Sequence, residues 1–125
     1  MKIFNFNLKK SQRLIKSSLF KDTFEQNNKW VGKYMVLWVR EAPDADLKIG
    51  IISSKKVHNK AYKRNRSRRY IREIYRKIRH KIIGNNDIVI VIRKALLSAT
   101  WNEVYDEMSL LLSKAGLLEE SHNKN

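Results

Sequence analysis

Arginines supply the chemistry that this sequence offers most plainly. In the run SKKVHNKAYKRNRSRRYIREIYRKIRHKII, from Ser54 to Ile83, Arg64, Arg66, Arg68, Arg69, Arg72 and Arg76 stand close together, with Asn65 among them and Glu73 as the single acid. A guanidinium fork takes two phosphate oxygens at once and lies flat on a base. Like charges clustered without acids repel one another unless a polyanion is at hand. The chemistry implied is recognition of a nucleic acid or another anionic surface. Bond-making has weaker credentials, because a hydrolytic protein centre needs clustered carboxylates for metal ions, or a histidine working with an acid. Asp44 and Asp46 instead sit in a stretch beside Pro43 that reads as a loop, and Glu73 is spaced to pair with Lys77 one turn further on. His58, His80 and His122 have no metal-ligand spacing, and no glycine-rich phosphate loop occurs. Cysteine is absent, which removes disulfides and thiolate metal sites. No catalytic side chain and no cofactor or metal held by the protein alone is expected.

Such arginines need a rigid element to hold them in a pattern. Neither Gly nor Pro interrupts the chain between Asn59 and Gly84. With Asn59 as N-cap and Gly84 as the stop, roughly 24 residues read as one helix about 36 Å long. Ile71, Ile74, Tyr75, Ile78 and Ile82 recur at the spacing of one buried face. Asn65, Arg69, Arg72 and Arg76 fall on a neighbouring stripe, Arg68 and Arg79 lie between the two, and His80 falls on the exposed side. The pattern predicts a helix clamped to a core on one side and displaying guanidinium groups on another.

The remaining chain must build that core. Ser17 or Ser18 is placed to cap a short helix through about Asn27, with Phe20 and Phe24 on one face at a spacing most often seen in cores. The stretch YMVLWVR, from Tyr34 to Arg40, alternates as a strand does. Met35, Leu37 and Val39 form its better core face, leaving Tyr34, Val36, Trp38 and Arg40 as an aromatic and basic face suited to RNA. Glu41 to Asp46 reads as a hairpin-like loop. LKIGIIS, from Leu47 to Ser53, is the next strand, where Gly50 marks a bulge or a close approach. DIVIVIR, from Asp87 to Arg93, is apolar almost throughout and reads as a central strand covered on both faces. Thr100 and Glu103 make a capping box. Trp101, Val104, Tyr105, Met108, Leu111 and Leu112 give the stripe of a final helix stopped by Gly116. A further early strand fits within Asn27 to Trp30.

Residues 1–125 are thus expected to form one α+β domain, with the 1–16 arm and the 119–125 tail flexible. Hydrophobic residues make up 42% of the chain and aromatics 10%, a folded composition rather than that of a disordered basic tail. The net charge of +15 exceeds anything solubility requires and points to a polyanionic partner. No apolar run reaches the ~18 residues of a membrane span and no signal-peptide core is apparent, so a cytoplasmic protein is expected. A basic helix can also serve a membrane surface or a calmodulin-type partner. That reading fits poorly, because the apolar face of this one lacks Trp, Phe and Leu.

The segment KAYKRNRSRRYIREIYR, from Lys60 to Arg76, resembles the signature of the bacterial ribonuclease P protein subunit. That family carries an Arg-Asn-Arg core (here Arg64-Asn65-Arg66), a basic pair (Arg68-Arg69) and then Arg-Glu or Arg-Gln (Arg72-Glu73). SSKKV, from Ser53 to Val57, is similar to the family's approach from strand to helix, and LKKSQRLIK, from Leu8 to Lys16, to its N-terminal arm. The likeness runs from about Leu8 to Leu118. It implies an α/β sandwich in the order α-β-β-β-α-β-α, with a mixed sheet and a left-handed crossover through the basic helix. It also implies that a partner RNA, with Mg or another divalent metal, performs the hydrolysis that removes the 5′ leader of precursor tRNA. No obligate protein partner and no membrane is implied. By resemblance Arg64, Asn65, Arg66, Arg68, Arg69, Arg72 and Arg76 would bind RNA. Phe20, Phe24, Trp38, Ser54, Lys55, Lys56 and Arg93 would line the cleft for the leader. Ser67 departs from the family in replacing an apolar residue, His58-Asn59 stand where Gly is common, and no Pro follows Arg93. A ribosomal or other structural RNA-binding protein would share the charge and the helix but need no cleft.

Overall fold

The computed structural model describes residues 17–118, so the expected arm, with its LKKSQRLIK segment, and the expected tail lie outside the described residues. The elements are α1 (Ser17–Gln26), β1 (Lys29–Val31), β2 (Met35–Arg40), β3 (Ile49–Ile52), α2 (Ala61–Ile78), β4 (Asp87–Ile92) and α3 (Trp101–Lys114). Short 3-10 turns follow α2 at Arg79–Lys81 and β4 at Lys94–Ser98. The order is the α-β-β-β-α-β-α expected, with the early strand now placed at β1.

The strands form one mixed sheet in the order β1-β2-β4-β3. β2 runs antiparallel to both β1 and β4, whereas β3 and β4 are parallel, as two strands joined through a helix can be. β4 lies inside the sheet, which is why its apolar residues need not alternate. Gly50 pairs in unbroken register with Val89, so there is no bulge at that glycine. Strand alternation divides the side chains between two faces. Met35, Leu37, Val39, Ile49, Ile88, Ile90 and Ile92 point to one side, where they meet Ile71, Ile74, Tyr75 and Ile78 of α2 and Val104, Met108, Leu111 and Leu112 of α3. The other face carries Val36, Trp38 and Arg40 and is covered in part by α1.

The long helix is shorter than its periodicity suggests. Its N-cap is Lys60 rather than Asn59, and the α-helix ends at Ile78. Beyond it Ile82 bridges to Leu118 and the Ile83 N–H donates to the Leu117 carbonyl at 2.8 Å, pulling the chain out of helical geometry well before Gly84. At the far end of α3 the expected stop holds. Gly116, at φ 76°, takes the left-handed conformation, while Leu117 N–H donates to Leu112 O and Gly116 N–H to Ser113 O, both at 2.9 Å. The Thr100–Glu103 capping box is also formed.

Ser67, the polar residue on the apolar side of α2, is buried with a purpose. Its hydroxyl donates to the Arg64 carbonyl at 2.7 Å and lies 2.8 Å from the buried Ser53 hydroxyl at the end of β3. The Ser53 hydroxyl therefore donates to Ser67. Ser67→Ala would leave Ser53 without its partner in a closed site and is expected to cost about 1–2 kcal/mol in denaturant unfolding. The Ser53→Ala/Ser67→Ala double variant should lose less than the sum of the two single changes.

Candidate nucleic-acid interface

α2 presents its charges as the helical projection requires. Asn65, Arg66 and Arg69 are exposed, whereas Arg64, Arg68, Arg72 and Arg76 are half-buried along the flanks. Several of these side chains are also engaged within the fold. Arg64 Nη1 donates to the carbonyls of His58 and Asn59, both at 3.0 Å, and so closes the loop that enters α2. The Lys60 N–H donates to His58 Nδ1 at 3.0 Å, a bond available only to a neutral imidazole. Desolvation, followed by the nearby charges of Lys63, Lys60, Lys94 and Arg64, lowers the His58 pKa and favours that neutral form. Arg68 donates to the Ser53 carbonyl at 3.1 Å and to Asn65 Oδ1, which fastens the arginine helix to the end of β3. Glu73 pairs with Arg76 at 2.8 Å, not with Lys77 as its spacing suggested.

A second group forms at one end of the sheet. Because β3 and β4 are parallel, the residues that follow them emerge together. Ser54, Lys55 and Lys56 are exposed after β3, and Arg93 is exposed after β4. The loop is steadied by the buried Val57, whose N–H donates to the Ser54 carbonyl at 2.9 Å, and by the Ser54 hydroxyl, which accepts from Lys56 N–H at 3.2 Å.

On the α1 face Phe24 and Trp38 meet edge to face, their ring centroids 4.8 Å apart. Lys29 Nζ stands 5.2 Å from the centre of the Trp38 ring, a cation–π contact that β1 supplies. Nothing in the sequence pointed to Lys29, because its partner across the strands is set only by the register of β1 on β2. Both rings are half-buried, as is Phe20. Among the described residues no ring contact joins Phe20 to the pair.

Arg40 corrects the expectation placed on it. It lies on the face that alternation assigned, but it is buried and does not form an RNA surface. Its Nε meets Asp22 at 2.6 Å, its Nη2 meets Asp44 at 2.8 Å and its Nη1 meets Asp87 at 2.7 Å. Burial works against the guanidinium charge, but the hydrogen bonds to these three carboxylates outweigh it and raise the pKa further. Asp87 is fully buried and also accepts from the N–H groups of Asp46 and Lys48 at 3.0 and 2.9 Å. Gln26 completes the anchorage of α1, exchanging two hydrogen bonds with the backbone of Glu41. The carboxylates that converge here converge on an arginine. No group of three or more His, Asp or Glu among the described residues could hold a metal ion. No described helix is long and apolar enough to cross a membrane.

Comparison with known proteins agrees with this geometry. The family model for ribonuclease P matches residues 8–116. The ribonuclease P protein component of Geobacillus sp. (strain WCH70) is 31% identical over 113 residues, which is 90% of this chain and 97% of that protein. That of Desulforapulum autotrophicum is 33% identical over 110 residues, 88% of this chain and 93% of the relative. Among solved structures, the RNase P protein of Thermotoga maritima superposes with a TM-score of 0.71 at 26% identity, covering 82% of this chain and 96% of its own. The Staphylococcus aureus RNase P protein gives 0.76 at 22% identity, covering 88% and 100%, a likeness of fold. Sequence and architecture agree along nearly the whole chain, and the chain belongs to the ribonuclease P family as a protein component.

Proposed function

We propose that this protein component docks on the catalytic RNA of its ribonucleoprotein through α2 and holds the 5′ leader of precursor tRNA on the opposite side of the sheet. The observation that carries the reading is the separation of two different surfaces. α2 offers a dense array of guanidinium and amide groups, with Tyr62 as its one largely exposed ring, the composition for gripping folded RNA by its phosphates. The α1 face offers Phe24 and Trp38 with Lys29 beside them, the composition for single-stranded RNA, where any base can stack on a ring while its phosphate meets a cation. Ser54, Lys55, Lys56 and Arg93 add exposed donors at the end of the sheet, and Phe20 lies on the same helix as Phe24. Asn65, Arg66 and Arg69 reach the partner RNA from the crest of α2, with Arg64, Arg68, Arg72 and Arg76 on its flanks. The RNA and divalent metal carry out the hydrolysis, and the setting is the cytoplasm.

The leader side is tested with Phe24→Ala. Stacking is worth about 1–3 kcal/mol per base by alanine substitution, so binding of precursor tRNA to the ribonucleoprotein should weaken by roughly tenfold. Binding of mature tRNA, which has no leader, should hold. If Phe24 served only to pack α1 on the sheet, the variant would melt at lower temperature and both tRNAs would suffer alike. A structural RNA-binding protein with no leader site would give that second result.

A further inference from the structure

Glu107 lies on α3, outside both surfaces, yet its carboxylate holds the turn between β1 and β2. The N–H of Lys33 donates to its Oε1 at 2.7 Å, and those of Tyr34 and Met35 donate to its Oε2 at 2.8 and 3.1 Å. Three consecutive amides aimed at one acidic group form the kind of concavity that binds anions, and here the chain supplies the anion itself. Gly32 allows the approach, since a Cβ at that position would lie 2.5 Å from both Cδ and Oε2 of Glu107. The turn in its turn holds Arg93. Arg93 Nη1 donates to the Gly32 carbonyl at 2.7 Å, and its backbone N–H donates to the Tyr34 carbonyl at 2.9 Å. Both attachments of the arginine thus fall on the segment that the carboxylate clamps.

We propose that Glu107 is a positioning residue for the leader side, ordering the Gly32–Met35 turn so that the Arg93 guanidinium is presented to a leader phosphate. The proposal rests on the reading of Arg93 as a leader contact. A long arginine on an exposed strand end otherwise samples many rotamers, and fixing one of its nitrogens on a rigid carbonyl removes much of that freedom before RNA arrives. The carboxylate has a second effect. Its charge is shared among three N–H groups, which reduces its repulsion of an incoming phosphate.

The test uses the ribonucleoprotein reconstituted with its cognate RNA, with precursor and mature tRNA affinities and melting temperature measured together. Arg93→Ala should lower the preference for precursor over mature tRNA by roughly threefold to tenfold, the worth of one or so hydrogen bonds. Glu107→Ala should reproduce most of that loss, and the double variant should be no worse than Arg93→Ala alone. Gly32→Ala keeps the carboxylate but displaces it, and should act like Glu107→Ala. Glu107→Gln retains one acceptor oxygen and should recover part of the preference. If Arg93→Ala loses the preference while Glu107→Ala and Gly32→Ala keep it, Arg93 needs no positioning and the proposal fails with the leader reading intact. An Arg93→Ala variant that behaves as wild type removes both. Losses by Glu107→Ala that fall equally on precursor and mature tRNA, and follow the melting temperature, would also overturn the proposal.

Discussion

Incubated with precursor tRNA and Mg²⁺, the RNA-free protein is expected to leave its substrate intact, whereas addition of its cognate RNA should produce the mature 5′ end at a rate that depends on divalent metal. The expectation rests on where the acids go. Asp22, Asp44 and Asp87 meet at Arg40, Glu107 is held by backbone amides, Glu103 closes the start of α3 and Glu73 pairs with Arg76. His58 is tied to the backbone of the loop before α2, and His80 is exposed at the end of that helix. Phosphodiester hydrolysis requires an activated water and stabilisation of a leaving oxygen, together worth many orders of magnitude in rate. None of these side chains is placed to provide either. End-labelled precursor on a denaturing gel gives the answer. Turnover by protein from which RNA has been rigorously removed would overturn the division of labour proposed above.

Replacing Arg40 by Met should produce the largest loss of stability of any single change considered. The substitution keeps the volume of the side chain but leaves the buried Asp87 carboxylate opposite a thioether. Breaking a buried pair in this way costs about 3–5 kcal/mol, and the two backbone N–H groups that still serve Asp87 place this case near the lower figure. For a domain of this size the melting temperature should fall on the order of 15 °C. Asp22→Asn should cost far less, within about 1 kcal/mol, because the Asp22 side chain is 44% exposed and water can replace its partner. Equal losses from the two variants would mean that burial of Asp87 is not what makes the cluster matter. The pH dependence has a defined sign. The hydrogen bond from Arg40 holds the Asp44 pKa below its ordinary value, so folded protein binds fewer protons there than unfolded protein does. Its contribution is intact above the unfolded pKa, near ~4, and is lost as pH falls through the lower folded value.

Much of this architecture was legible because periodicity reports local burial directly. The Ile71, Ile74, Tyr75 and Ile78 stripe, the Met35, Leu37 and Val39 face and, Val91 apart, the apolar run of β4 lie in the core as their spacing implied. Most of the misreadings come from partners that periodicity does not report, some of them distant in sequence. α2 stops at Ile78 because the chain around Leu117 claims Ile82 and Ile83. Its first residue is shifted because the His58 side chain and the Arg64 guanidinium satisfy the backbone groups there, a task assigned to Asn59. Alternation placed Arg40 on the correct face of β2 but could not anticipate that acids from α1, a loop and β4 would enclose it. Individual side chains on α2 were harder still, since Arg64 and Arg68 are drawn toward backbone carbonyls that belong to the preceding loop and strand. The Phe24–Trp38 pair needed both the helix phase and the placement of α1 on the sheet.

The place of β4 between β2 and β3 has a consequence for how this protein comes off the ribosome. β2 and β3 follow each other in the chain but never pair, and the bond between Arg40 and Asp87 spans 47 residues. The sheet therefore stays in separate pieces until synthesis has passed Ile92, by which point the whole arginine helix has already been made. Contacts so distant in sequence close slowly, since loop-closure entropy must be overcome before any pairing is gained. During that interval α2 has no core to pack on, and its isoleucines and guanidinium groups stand exposed beside a ribosome rich in RNA. Order of synthesis thus sets a kinetic hazard, nonspecific capture of an unfinished chain by ribosomal RNA, that the finished fold does not have.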